Sequence, residues 1–279
     1  MNKLIKRQAF GVVFAFAMTV IPACAETLDD MVIKGVNFLN KGQFKKAAQQ
    51  FTEVISIAPK YKEAYCNRAC AYLSLKDYQK AMDDCNQAIK LDPQFADAYF
   101  NRACVYGAQK QNDKAVEDFT QAISLGAKGP VEYQSRGHAY ERLGQYDKAI
   151  ADCTQALAIN NQFKDAYNTR GTVYRKLGNY TKAMDDFNTA IKIDPKDALS
   201  YCNHGYVFQK LGDYKKAIDD YNTAIAVDSK CADAYYRRGE CYQKIGKDQV
   251  AVVDELKAKE LGYQNKEDKE DKQAAKQEN

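Results

Sequence analysis

The chain has 279 residues, 46% of them apolar and 28% charged, enough apolar residue for one or two globular cores or for one elongated array. The formal net charge of +4 includes Lys3, Lys6 and Arg7, the only charges in the first 25 residues, so the remainder carries +1. That excludes the clear basic excess of a polyanion-binding surface, and nothing global points to nucleic acid or anionic lipid.

In chain order, Lys3, Lys6 and Arg7 are followed by an uncharged run from Ala9 to Ile21 and by Ala23-Cys24-Ala25. This pattern predicts a secretory signal peptide over residues 1–25, cleaved after Ala25, and hence a periplasmic or secreted mature protein. Thirteen helical residues reach about 20 Å, short of a hydrocarbon core of roughly 30 Å, so no membrane span is expected to persist. An alternative makes Cys24 the lipid-modified first residue of a lipoprotein, because Ile21-Pro22-Ala23-Cys24 resembles a bacterial lipobox, although Pro22 fits that pattern poorly.

From Leu28 the sequence falls into seven rows of 34 residues without insertion or deletion: 28–61, 62–95, 96–129, 130–163, 164–197, 198–231 and 232–265. In the fifth row Tyr167, Gly171 and Tyr174 share one helical face, Gly178-Asn179 breaks the chain, Ala183, Phe187 and Ala190 repeat the same spacing, and Pro195 closes the segment. Each row is therefore a predicted helical hairpin. The eighth position is always small (Gly35, Ala69, Ala103, Gly137, Gly171, Gly205, Gly239). The eleventh is always aromatic (Phe38, Tyr72, Tyr106, Tyr140, Tyr174, Phe208, Tyr242) and the twentieth always alanine, as at Ala47, Ala115 and Ala183.

With Pro59, Pro93 and Pro195 late in their rows, these features resemble the tetratricopeptide repeat family, and the resemblance covers essentially the whole mature chain. The RNA-reading pentatricopeptide family has a period of about 35 residues and does not fit. The resemblance implies an all-α solenoid, a right-handed superhelix of seven helix-turn-helix repeats whose concave side is lined by the first helices, and the usual work of holding a peptide or partner protein. An array is needed because one hairpin cannot bury its apolar faces alone.

The last row carries Glu255 and Lys259 where earlier rows have core residues such as Tyr221 and Ile225, so residues 247–262 are expected to form a polar capping helix. Residues 266–279 have no apolar period and are expected to be a charged, disordered tail. In the third row, Asn112 replaces an aromatic, and Gly126-Ala127-Lys128-Gly129-Pro130 leads into the fourth row. A hinge at 126–130 is one reading, and a tolerant turn within a rigid stack is the plainer one.

Positions 2, 5, 9, 12 and 13 of each row lie about 120° from the core positions. The family resemblance identifies that face with the partner-binding groove. Early rows place Val32, Val36, Cys66, Cys70, Phe100 and Cys104 on it. The fourth and fifth rows place Gln134, His138, Arg142, Asn168, Thr172, Arg175 and Lys176 there, and the last two place Tyr206, Lys210, Tyr236, Glu240 and Lys244. The face changes from apolar to polar and mildly basic, which would suit a partner segment with one apolar and one acidic end. Variable solvated surface is the bland alternative.

Two sharper uses of the face fail. Some relatives clamp a C-terminal carboxylate with Lys and Asn at positions 5 and 9, but this chain has Val32 and Val36 there, and Asp97 and Asn101 where cations are needed. Arg68, Arg102, Arg136, Arg170 and Arg238, with His204 in register, could grip an extended anion, yet Asp84, Asp118, Asp152, Asp186 and Asp220 form an equally regular acidic set that predicts internal pairing.

Eight cysteines follow the signal segment: Cys66, Cys70, Cys85, Cys104, Cys153, Cys202, Cys231 and Cys241. Their even number in an exported chain invites a disulfide framework. Cys85 and Cys153, however, occupy a core position otherwise held by Phe or Tyr and are expected to pack as small hydrophobes. Cys66, Cys70 and Cys104 are the one candidate metal or redox cluster, with no histidine in register and no recognised zinc spacing. No phosphate-binding glycine loop, paired-histidine metal motif or nucleophile elbow is present, so no catalytic residue, metal or cofactor is assigned. The expected function is a non-enzymatic, exported scaffold that holds a protein or peptide. A structural component of an envelope assembly, binding through its edges or outer face, and a thiol- or metal-binding protein are the alternatives.

Overall fold

The computed structural model describes residues 27–263, and all their regular structure is α-helical. The signal segment 1–25 and the tail 266–279 lie outside the described residues. Fourteen helices follow in order: α1 Leu28–Asn40, α2 Phe44–Ile57, α3 Lys62–Ser74, α4 Tyr78–Leu91, α5 Ala96–Ala108, α6 Asn112–Ser124, α7 Pro130–Arg142, α8 Tyr146–Ile159, α9 Lys164–Lys176, α10 Tyr180–Ile193, α11 Ala198–Lys210, α12 Tyr214–Val227, α13 Ala232–Lys244 and α14 Asp248–Glu260. Each row of 34 is one hairpin, an odd-numbered helix followed by an even-numbered one. The chain divides into two compact units after Ile159, so α1–α8 form one and α9–α14 the other.

Within each hairpin the small eighth residue sets how closely the helices approach. A Cβ at Gly171 would lie 2.8 Å from the Phe187 ring, and one at Gly35 would lie 2.7 Å from Phe51. Where the second row has Ala69 instead, it packs with the smaller Cys85. The third row pairs Ala103 with Phe119, whose ring meets Phe100 at 5.4 Å. Cys85 and Cys153 are fully buried, as their core position requires.

In the first unit, α2, α4 and α6 pack on the first helix of the next hairpin, and α1, α3 and α5 pack in sequence. The turn at 126–130 is part of that packing. Pro130 opens α7, and Ala127, Val131 and Ala139 lie against Phe100, Phe119 and Ala122. The division of the chain thus falls after Ile159, one hairpin later than the Gly/Pro-rich turn. In the second unit, α10 packs on α11 around Phe187 and Val207, and α12 packs on α13 around Cys202, Ile218, Tyr221 and Cys241.

The last helix departs from the expected polar cap. Glu255 and Lys259 do replace core residues, but Val250, Val253 and Leu256 are 45%, 64% and 62% exposed. The register explains it: the six earlier rows put only lysine at the position of Val250, and Thr or Asn at that of Leu256. At those two positions the exposed face of α14 is therefore apolar where every preceding hairpin is polar.

The turn inside each hairpin needs a left-handed residue. Gly42, Gly144, Gly178, Gly212 and Gly246 supply it, whereas the second and third rows force Lys76 to φ 61° and Lys110 to φ 62°. A Cβ in that conformation costs roughly 1 kcal/mol. Lys76→Gly and Lys110→Gly should each raise stability by about 0.5–1 kcal/mol in urea unfolding. No gain in either variant would show that these turns hold no strain.

Candidate functional site

The first-helix face is held in place by a repeated ion pair. In the first unit Arg68 donates from Nε and Nη2 to Asp84 at 2.8 and 2.7 Å, Arg102 to Asp118 at 2.7 and 2.8 Å, and Arg136 to Asp152 at 2.7 and 2.8 Å. The remaining Nη1 of each fork reaches back to the preceding hairpin, donating to Thr52, Asn86 and Thr120 respectively. Tyrosines at the fourth and eleventh positions, such as Tyr65 and Tyr72 around Arg68, flank the guanidinium. The second unit repeats the pair as Arg170–Asp186 and Arg238–Asp254, with Arg238 also donating to Asn222. His204 takes the arginine's place, its Nδ1 2.7 Å from Asp220, while its Nε2 is buried without a hydrogen-bond partner.

The arginine ladder is thus structural, as the matching aspartates predict. Burial pushes the carboxyls of Asp84 and Asp186 upward against the pull of Arg68 and Arg170, while the pairing holds Arg68 above its ordinary value.

Burial withdraws three of the six early-row residues expected on the groove. Cys66, Cys70 and Phe100 are only 3%, 7% and 6% exposed. Cys66 and Phe100 stand at the fifth position and Cys70 at the ninth, and all three are consumed where consecutive hairpins meet. The Asn101 amide donates to the sulfurs of Cys66 and Cys70 at 2.9 and 3.1 Å, and Phe100 packs on Phe119. Burial pushes all three thiols of the cluster upward, Cys70 to about 12. They are protonated, low-reactivity packing groups, and no group of three or more His, Cys, Asp or Glu suited to a metal occurs among the described residues. In the same unit Val32, Val36, Cys104 and Gln134 are half-buried, whereas His138 and Arg142 are exposed. His138 Nε2 lies 3.8 Å from the buried Glu141.

In the second unit Asn168 is likewise withdrawn. It is 6% exposed, and its amide donates to Asp197 at 3.0 Å and Ser200 at 2.9 Å. Beside it lies Lys164, a buried lysine that sequence reasoning passed over, with Nζ 2.7 Å from both Asp194 and Asp197. The available signal was the spacing of 30 residues from lysine to aspartate, which recurs in the Lys62–Asp92 pair.

What stays accessible is aromatic and cationic. Tyr206 lies between two guanidiniums, with Arg175 and Arg237 each 4.3 Å from its ring centroid and Lys210 at 5.2 Å. Stacking of this kind contributes about 0.5–2 kcal/mol per contact, depending on exposure. Arg237, which the sequence reading did not place on the face, is anchored by Asp233 at 2.9 Å. Its signal was being the one cation at the sixth position of any row. Thr172, Tyr206, Tyr236 and Glu240 are half-buried, with Tyr236 stacked on Tyr263 at 4.4 Å and Glu240 accepting from Gln209. Lys176, Lys210 and Lys244 are exposed along one edge. The arrangement offers cations for carboxylates and an aromatic face for planar groups.

A hairpin array with this register defines a helical repeat protein. Models of the tetratricopeptide repeat match residues 63–95, 130–163 and 85–117, and a TPR repeat model matches 171–212 and 205–246, together more than half of the sequence. The chain belongs to the tetratricopeptide repeat family, whose members typically mediate protein interactions. No curated protein matches its sequence. Among solved structures it is similar to a chain of the APC/C hetero-tetramer Cut9–Hcn1, at 18% identity and a TM-score of 0.75, over 85% of this chain and 47% of that one, so it spans about half that chain's length. A tetratricopeptide repeat protein from Parabacteroides merdae matches at 21% identity and 0.69, over 86% and 94% of the two chains. YrrB, described as having an unusual peptide-binding site, matches at 22% and 0.53, over 68% and 98%. At these identities the likeness is one of fold.

The Lys164 pair has a calculable pH dependence. Burial raises Asp197, but hydrogen bonds from Lys164 and Ser200 outweigh it and hold its carboxyl below the usual range. Burial lowers Lys164, and its two aspartates outweigh that and raise it. The pair therefore contributes above the ordinary carboxylate value of about 4 and below the ordinary lysine value of about 10.4, and is lost as pH falls through the depressed Asp197 or rises through the elevated Lys164. Lys164→Met should cost about 2–4 kcal/mol at pH 7. The gap from wild type in urea midpoint should shrink as pH drops toward 3. An unchanged gap there would remove the ionic account.

Proposed function

We propose that this protein is a non-enzymatic interaction scaffold, exported from the cytoplasm, that holds an acidic peptide or protein segment against the first-helix face of its second unit. The observation that carries the reading is the Arg175–Tyr206–Arg237 stack, bordered by exposed Lys176, Lys210 and Lys244. Two guanidiniums held over one ring are preorganised for carboxylates, because Asp233 and the tyrosine already restrain Arg237 before a partner arrives. The structural likeness to YrrB, a peptide-binding protein by description, supports peptide capture as the kind of work. Burial of Cys66, Cys70 and Phe100 moves the proposed contact away from the early rows.

A second reading, a structural part of an envelope assembly engaged through its edge, is favoured by one observation, the exposed Val250, Val253 and Leu256 on α14. A photo-crosslinking amino acid placed at Lys176 or Lys210 should capture a partner in intact cells, and capture should fall at least tenfold in a Lys176→Glu/Lys210→Glu/Lys244→Glu background probed from Tyr206. Capture only from Val253 or Leu256 would favour the edge instead.

Export has its own test, since the segment that would direct it precedes the described residues. Protein recovered from the cell envelope or medium should begin at Glu26. A lipid-modified chain beginning at Cys24 would establish the lipoprotein alternative, and an intact Met1 start would sink export by cleavage.

A further inference from the structure

We propose that Cys202 and Cys231 form a reversible disulfide site that locks the sixth hairpin to the seventh when a small-molecule disulfide is available as oxidant. The inference rests on these two side chains and is independent of the partner reading.

The sulfurs lie 3.4 Å apart. Cys202 sits in the middle of α11 and is 3% exposed, whereas Cys231 is the N-cap residue of α13 and is half-exposed. In the repeat register they occupy positions 5 and 34. The same two positions one hairpin earlier are Asn168 and Asp197, the latter the N-cap of α11, and they bond directly at 3.0 Å. The repeat itself therefore brings position 5 onto the next hairpin's N-cap, and the two cysteines replace one polar contact with a pair of thiols. Cys66 and Cys70 differ in kind, since they stand one turn apart on a single helix and both accept from Asn101.

The two thiols are chemically unequal. The hydrogen bond from Cys202 outweighs burial, and with the Ala234 N–H it brings Cys231 down to about 7, where a thiolate is well populated. That same bond, together with burial, pushes Cys202 upward; Asp233 adds to this and Arg237 opposes it. Cys231 is consequently the attacking group. Its thiolate attacks one sulfur of an external disulfide RSSR, forming the Cys231–SR bond as the S–S bond breaks, and RS⁻ leaves. Cys202 then gives its proton to that thiolate and attacks the Cys231 sulfur, releasing a second RS⁻, which is protonated by water with the proton Cys231 had lost. Two protein thiols are oxidised, and one RSSR is reduced to two RSH.

The product ties the first helix of one hairpin to the start of the next. Tyr206 follows Cys202 by one turn, and Arg237 lies in the second turn after Cys231, so the bond holds the Arg237–Tyr206 stack in place.

The full chain, first reduced, is incubated with oxidised glutathione, alkylated and peptide-mapped. Two thiols should disappear, a Cys202–Cys231 cross-linked peptide should appear, and the thermal midpoint should rise by about 5–10 °C, reversibly with dithiothreitol. Cys202→Ser should stop at glutathione attached to Cys231, and Cys231→Ser should take up none at Cys202. Glutathione on Cys231 of the wild type without the cross-link, a cross-link between other cysteines, or an unchanged midpoint would each overturn the proposal. The wild-type map decides the matter even if a variant does not fold.

Discussion

The stack depends on an arginine that serves two hairpins at once. Its Nε and Nη2 grip an aspartate in its own hairpin, and where Arg68, Arg102, Arg136 and Arg238 stand, Nη1 bonds a hydroxyl or amide in the hairpin before. A planar fork does this by spreading its donors over three nitrogens with fixed directions, whereas a lysine concentrates its donors on one atom. The flanking tyrosines keep water from the guanidinium while leaving its charge beside an aromatic face. Burial works against the carboxylate, as the raised Asp84 and Asp186 show, so the pair contributes less to net stability than to a fixed geometry. That geometry sets where the first-helix face points.

Two neighbouring demands divide that face. The fifth position meets the next hairpin, and its chemistry is spent there, as a ring at Phe100 clustered with Ala139 and Val131, an amide network at Asn168 and a thiol pair at Cys202. Cys70 shows that the ninth position can be spent in the same way, but from the fourth row onward the ninth and thirteenth positions reach the surface, and there His138, Arg142, Lys176, Tyr206, Lys210 and Lys244 are found. A change at the fifth position therefore alters how hairpins join, and a change at the ninth alters what they can touch. The proposed disulfide and the proposed binding surface stand in that relation, one setting the geometry that the other uses.

The family's fold was legible because it is written in a strict period. Seven rows without a gap, a small eighth residue and an alanine twentieth are local requirements of two helices in close contact, and the helices form where those rows predict. The pairing of Arg with Asp was legible too, since both recur in one register; only Asp254 was left off the expected set. The candidate site was legible in part. Helical angle alone places Cys66, Cys70, Phe100 and Asn168 on the outward face, but burial depends on how closely the next hairpin approaches, and no single-helix projection contains that distance. Arg237 was missed for the converse reason: its position counts as ordinary until Tyr206 from another hairpin lies under it.

By itself, then, the sequence determined the number of hairpins, their cores and their internal ion pairs, because each rests on residues a fixed and short distance apart. The tertiary structure alone decided which face residues remain accessible, that Lys164 is buried between two aspartates, that α14 turns valines and a leucine outward, and that Cys202 meets Cys231. All four depend on surfaces contributed by separate helices. Their separation in space follows from packing, which the spacing of residues along one helix does not encode.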